Sequence, residues 1–327
     1  MRLRFGSPLV ERLPIVRIEE HPLRGWAMLP DEDHYTYQHL VEINSLGLRG
    51  PEPSPGTGEE RRLLVLGDSM TYGQGVANDQ TLPHHLERQL EQLTGSSFCV
   101  VNGGHRGYGT NQELGLLEEL GEALSPDVVV LCWYWNDLKG ETIENIRARF
   151  AGRGPVAQDV QAPLEGSLLL RWHAVQLLRR SALLMKLHDL VRARKPYPYE
   201  RLGTQGIAHL GRLLRRFEQL TEQLGATPVV ALIPDPVHVR VDEHPTGELA
   251  RRAAGVARER GLCTVELVEP LQLHLRETGE VPVLPYDGHY EAEGNRLMGE
   301  FLAQRLLELE VIGSEQHGSE QDSSEQH

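Results

Sequence analysis

A serine at a sharp turn, a side-chain amide and an aspartate–histidine pair are the residues in this 327-residue chain whose types and spacing could do chemistry. The run Arg62-Leu63-Leu64-Val65-Leu66-Gly67-Asp68-Ser69 is apolar until it stops abruptly at Gly-Asp-Ser. A short apolar run with charge before it and turn residues after it reads as a buried strand. Ser69 then stands between the carboxyl end of that strand and a following helix, at the edge where open α/β sheets bind ligands. A lone serine hydroxyl is a weak nucleophile. It needs a base, a group that orients the base, and donors for the developing oxyanion. Three further segments could supply them. Asn102-Gly103-Gly104-His105-Arg106-Gly107-Tyr108-Gly109-Thr110 follows a second apolar run, and its glycines let backbone N–H groups approach a ligand closely. Trp133-Tyr134-Trp135-Asn136-Asp137 follows a third run, with an amide that can point a donor at an oxyanion. Tyr286-Asp287-Gly288-His289 precedes the last amphipathic segment, where a carboxylate two residues from an imidazole can hold it in place.

The elements that must position these groups alternate strand and helix, the pattern of a parallel sheet covered on both faces. The expected strands are Leu63–Leu66, Phe98–Val101, Val128–Trp133, Pro228–Ile233 and Thr264–Glu266. The expected helices are Asn78–Leu93, Asn111–Leu120, Gly206–Leu224, Gly247–Arg260 and a closing one from Ala292 to Leu309. In that last segment Leu297, Phe301, Leu302, Leu306 and Leu309 recur at helical spacing. Residues 1–60 lack helical periodicity. They read as a β-rich amino-terminal extension, with extended pieces at Ile15–Ile18 and Leu40–Ile43, aromatic packing residues Trp26, Tyr35 and Tyr37, and a Pro/Gly/Ser linker over Pro51–Gly58. Residues 61–312 form the main domain. Residues 137–203 are read as a helical insertion, whose Ser167–Arg194 part interleaves leucine and arginine as a helical layer or lid over the strand tips. Residues 313–327 repeat Ser-Glu-Gln in a polar tail that reads as disordered.

Composition narrows the partners. Lys plus Arg total 33 against 47 Asp plus Glu, a net charge of −14, which argues against nucleic acid and anionic membrane surfaces. The cysteines Cys99, Cys132 and Cys263 form no C-x-x-C pair and read as small buried hydrophobes, with no zinc site. The longest apolar segment, Leu168–Leu190, is broken by Arg171, Arg179, Arg180 and Lys186, so it does not read as a membrane span. Met1-Arg2-Leu3-Arg4-Phe5-Gly6 has charge without an apolar stretch behind it and does not read as a signal peptide, so the expected location is cytoplasmic. Among other polar groups, His84, His85, His173, His209 and His274 read as surface or packing residues. Asp68 and Asp137 read as loop-holding carboxylates, and Asp235 and His238 as part of the rim.

Gly-Asp-Ser, glycine, asparagine and Asp-x-His, in this order, resemble the SGNH (GDSL-type) hydrolase superfamily from about Arg62 to Leu309. The resemblance implies a three-layer α/β/α flavodoxin-like fold. It assigns Ser69 as nucleophile, His289 as base and Asp287 as its partner. It assigns the N–H groups of Ser69 and Gly107 and the amide of Asn136 to the oxyanion hole. Two positions depart from the common pattern. Tyr134 stands where the third block has glycine, so Tyr134 and Trp135 are expected to set the acyl pocket. Asp287 lies two residues before His289, with Tyr286 at the more usual position. That spacing, and Ile43-Asn44-Ser45-Leu46-Gly47-Leu48-Arg49-Gly50 upstream, resemble a bacterial subgroup related to polysaccharide and lipid acetyl-transfer enzymes. His105 and Arg106 are expected to contact substrate. The activity implied is hydrolysis or transfer of a short O-acyl group through an acyl-enzyme, on a small-molecule, glycan or lipid ester, with no cofactor and no metal. The alternatives are an O-acetyltransferase working with a partner protein, or an inactive acyl- or glycan-binding protein on the same fold.

Overall fold

In the computed structural model of the chain the described residues are 17–313, except 38, 55–59, 140, 152–155, 158–198 and 285–286. A five-stranded sheet lies at the centre. Its strands are β5 (Arg61–Gly67), β6 (Phe98–Gly104), β7 (Val128–Trp133), β9 (Thr227–Leu232) and β10 (Cys263–Glu266), in the order β10-β9-β7-β5-β6 with every neighbour parallel. Read along the chain this is the flavodoxin-like 2-1-3-4-5 arrangement, and its direction reverses between β5 and β7, where ligands of such sheets bind.

The strands were legible because both faces of the sheet are buried, so their sequences are apolar throughout rather than alternating. Successive side chains still point to opposite faces. Leu64, Leu66, Val129, Leu131, Val230 and Leu232 join one core cluster, while Leu63, Val65, Val128, Val130, Val229 and Ala231 join the other. The first core is covered by α3 (Thr110–Leu124), α5 (Tyr199–Leu224) and α7 (Pro245–Glu259). The second is covered by α2 (Leu82–Thr94), α8 (Val268–Thr278) and α9 (Ala292–Glu308). Three α/β/α layers result, with α9 packed along α2. Short helices α1 (Ser69–Tyr72), α4 (Ile143–Phe150) and α6 (Pro236–Arg240) lie in the connections.

The amino-terminal segment adds β1 (Arg17–His21) and β2 (Gly25–Met28), joined antiparallel, and the hairpin β3 (Asp33–Thr36) and β4 (His39–Glu42). A short β8 (Val156–Ala157) pairs with β1 on its other side. Ile18, Trp26, Met28, Val41, Ile43 and Leu48 are buried in the first core cluster, so this segment packs on the α3 side of the sheet. Trp26 meets the Tyr108 ring edge-on, and the Tyr108 hydroxyl donates to the Trp26 carbonyl at 2.6 Å. The expected Ser167–Arg194 helix and the tail beyond Gly313 lie outside the described residues. Among the described residues, no helix is long and apolar enough to cross a membrane. The three cysteines are free thiols, and burial pushes Cys132 up to about 12, which leaves it inert at neutral pH.

Candidate active site

Parallel register brings the loops together. Gly67 at the end of β5 sits opposite Gly104 on β6 and Cys132 on β7, so the Ser69, Gly107 and Asn136 loops leave the sheet at one edge. The chain then turns straight into α1. Asp68 caps that helix, its Oδ1 accepting from the Met70 N–H at 2.8 Å, and Ser69 becomes the first helical residue. An N–H in a first helical turn has no acceptor within its helix, which leaves the Ser69 N–H available. Gly104 is required here, because a Cβ on it would lie 2.2 Å from the Tyr72 nitrogen, inside α1.

Arg49 locks the other end of α1. Its guanidinium is 2% exposed and donates to the carbonyls of Tyr72 at 2.7 Å, Gly73 at 2.6 Å and Val76 at 2.7 Å, and to Asn78 Oδ1 at 3.0 Å. It also stacks over the Tyr72 ring, 4.8 Å from the centroid. Burial pushes its pKa down only to about 10, so it stays charged at neutral pH. The motif Asn44–Gly50 thus presents one arginine to the Tyr72 carbonyl at the end of α1 and to those of Gly73 and Val76 just beyond it.

His289 reaches the same place from the loop before α9. Its Nε2 lies 2.7 Å from Ser69 Oγ, and its Nδ1 meets Asp287 Oδ1. Asp287 is an acceptor when ionised, so Nδ1 carries the proton and Nε2 is left bare to accept from the serine hydroxyl. The ring is partly shielded, with 17% of the side chain exposed against 11% for Asp287. Asp287 Oδ2 in turn accepts from Gln74 Nε2 at 3.0 Å, and Gln74 Oε1 accepts from Arg106 Nε at 2.8 Å.

Asn136 is half-buried on the single turn of 3-10 helix after β7, and its Nδ2 donates to Asp68 Oδ2 at 2.9 Å. A side-chain amide carries two N–H donors, so this bond orients the group and leaves the second proton for a ligand. Gly107 is exposed, with φ +79°, a left-handed conformation that suits glycine. A cavity of about 130 Å³ lies beside these two residues, lined also by Asn111, Ile146, His209 and Leu213.

Two expected substrate contacts do not fit their positions. His105 is fully buried, stacked on Tyr108 with centroids 4.4 Å apart and its Nδ1 3.1 Å from the Gly103 carbonyl. Burial pushes the imidazole down to about 3. It is a neutral packing residue, since a ring with no exposed surface cannot touch a ligand. Arg106 is 8% exposed and turned to Gln74. Tyr134 is buried in the second core, and its hydroxyl donates to Asp235 Oδ2 at 3.0 Å. The same oxygen accepts from Trp135 Nε1 at 2.8 Å. Of that pair only Trp135 is partly exposed, and Asp235 is the anchor for both rings.

Glu113 on α3 carries no motif that marks it in the sequence. It is fully buried, with neither carboxyl oxygen hydrogen-bonded among the described residues. Burial, then the neighbouring Asp137 and Asp68 carboxylates, push its pKa well above the usual range, so it is held neutral beneath the site. A carboxyl raised on folding binds a proton that the unfolded chain gives up. Stability is therefore full below the ordinary carboxyl pKa and falls as pH climbs towards the folded value. Glu113→Gln keeps the shape without the titration. The melting temperature of this variant should gain on wild type as pH rises from 5; a difference that does not vary with pH would contradict the neutral carboxyl.

The fold is that of an α/β protein with a parallel central sheet, whose candidate site residues gather at one sheet edge. The chain matches the GDSL-like Lipase/Acylhydrolase family over residues 65–297, and it belongs to that family. Among solved structures it is similar to TesA, at 18% identity and a TM-score of 0.46, with 76% of this chain and 99% of that one covered. It is similar to a two-domain esterase (CEX) active on acetylated mannans, at 13% identity and a TM-score of 0.46, covering 80% of this chain and 52% of that one. It is also similar to a catalytic mutant of Axe2, an acetylxylan esterase from Geobacillus stearothermophilus, at 15% identity and a TM-score of 0.45, covering 75% and 94%. At these values the likenesses say nothing about substrate. No curated protein matches the chain.

Proposed function

We propose that the protein is a serine esterase for short O-acyl groups, with Ser69 as nucleophile, His289 as general base and Asp287 as its orienting partner. The observation that carries this reading is the continuous contact from Ser69 Oγ to His289 Nε2 at 2.7 Å and from His289 Nδ1 to Asp287. Ser69 attacks the ester carbonyl while His289 takes its proton. The oxyanion is held by the N–H groups of Ser69 and Gly107 and the free N–H of Asn136. The imidazolium then protonates the leaving alkoxide. Water, deprotonated by His289, hydrolyses the acyl-enzyme and returns the proton to Ser69. Each oxyanion donor of this kind contributes about 10²–10³ in kcat.

The short chain rests on the resemblance of the Asp287-x-His289 spacing to acetyl-transfer enzymes. The Asp-x-His spacing and the Arg49 motif support a place in the bacterial subgroup with that spacing. Hydrolysis of p-nitrophenyl acetate, butyrate and octanoate by wild type and Ser69→Ala tests the reading. We expect turnover that needs Ser69 and falls from acetate to octanoate. Equal rates for both proteins would overturn the nucleophile, and a preference for octanoate would overturn the short chain. A wild type that is labelled at Ser69 by a fluorophosphonate but hydrolyses none of the three esters would have a live nucleophile and the wrong substrate or acceptor, which favours an acyltransferase.

A further inference from the structure

The aspartate of the candidate triad is itself held, by a residue that no sequence motif marks. Gln74 follows α1, its own N–H bonded to the Ser69 carbonyl at 3.1 Å, so it is tied to the nucleophile turn. The two ends of its amide face different partners, Arg106 Nε at 2.8 Å and Asp287 Oδ2 at 3.0 Å. Amide oxygen and nitrogen are interchangeable in shape, and the hydrogen-bond partners decide which is which. A guanidinium only donates, so the Gln74 oxygen must face Arg106. The Gln74 N–H₂ must then face Asp287, the one orientation in which every contact pairs a donor with an acceptor.

Resting on the esterase reading above, we infer that Gln74, fixed by Arg106, is a positioning residue that holds Asp287 and thereby tunes the basicity of His289. By donating to Oδ2 it spreads the carboxylate charge away from the oxygen that faces the imidazole. Loss of that donor concentrates charge on Oδ1 and makes His289 easier to protonate. The other charged groups on the segments meeting here have partners of their own. Asp68 holds Met70 and Asn136, Arg49 holds the carbonyls at the end of α1, and Asp235 holds Tyr134 and Trp135.

The test uses the rate of Ser69 labelling by a fluorophosphonate across pH 5–9, which needs no knowledge of the substrate, in wild type, Gln74→Leu and Gln74→Glu. Gln74→Leu should move the acid limb of the rate–pH profile to higher pH by about half a unit to one unit, and Gln74→Glu further, because it sets a second carboxylate against Asp287. For a hydrolysed ester, kcat should fall roughly tenfold in Gln74→Leu with KM unchanged. The His289 Cε1–H resonance, identified by its loss in His289→Gln, should titrate with a midpoint displaced the same way. That signal reads the coupling whether or not Ser69 reacts. An altered melting temperature with an unmoved limb and an unmoved His289 midpoint would reduce Gln74 to packing and overturn the inference. A displaced midpoint in a wild type that is never labelled would keep the coupling and sink the esterase reading alone.

Discussion

Replacing His289 with alanine lowers kcat for ester hydrolysis by about 10⁴–10⁶, as does Ser69→Ala, and the double variant is no slower than either. The non-additivity follows from the geometry. With Ser69 Oγ 2.7 Å from His289 Nε2, the hydroxyl proton has one designated acceptor, and removing either partner removes the same step. What remains is the activity due to binding and the oxyanion donors. Asp287→Asn should cost about 10⁴ for a different reason. Gln74 presents N–H₂ to position 287, so an asparagine there must turn its oxygen to Gln74 and its own N–H₂ to His289. That forces the proton onto Nε2, the tautomer that cannot accept from Ser69. Steady-state kinetics of the four variants against one ester check this. Multiplicative losses in the double variant would mean that Ser69 and His289 act in separate steps.

Arg49→Met should destabilise the protein by about 3–5 kcal/mol, the scale for removing one partner from a buried, charge-assisted network. Methionine fills similar volume but donates nothing, leaving the carbonyls of Tyr72, Gly73 and Val76 without the donor they now share. In a domain of this size each kcal/mol shifts Tm by about 2–4 °C, so thermal melts should show a drop of roughly 10 °C. Activity should fall as well at temperatures where the variant is folded, because α1 carries Ser69 at its first position. Arg49→Lys should sit between the two. It keeps the charge but not the planar fork that reaches several acceptors at once. A melting temperature for Arg49→Met within a degree or two of wild type would contradict this account of the nucleophile turn.

These two cases also show what a single sequence discloses. The span expected for β7, Val128–Trp133, is the span observed, because a strand buried on both faces is an unbroken apolar word. The pairing of Asp287 with His289 could be expected because the two stand two residues apart on one loop. Ser69 was legible because a glycine-aspartate turn ends a strand. Helix α8 was not, since only Leu271 in it is deeply buried and Pro270 interrupts the periodic pattern. Gln74, Glu113 and Asp235 were not, for a common reason. Their roles are set by partners 32 to 213 residues away, or by burial in a helix that is covered on most sides, and polar residues of these types ordinarily face water. The burial of His105 and Arg106 was not legible either: a loop at the edge of a sheet can turn its side chains inward, His105 towards Trp26 of the amino-terminal segment and Arg106 towards Gln74.

The most direct test of Ser69 as an activated nucleophile is intact-mass and peptide analysis after brief exposure to a fluorophosphonate at neutral pH. Wild type should gain one adduct per chain, on the peptide that contains Ser69. Ser69→Ala should gain none, and His289→Ala should react orders of magnitude more slowly. A folded wild type that stays unmodified, or a Ser69→Ala variant labelled as fast as wild type, would contradict the central claim.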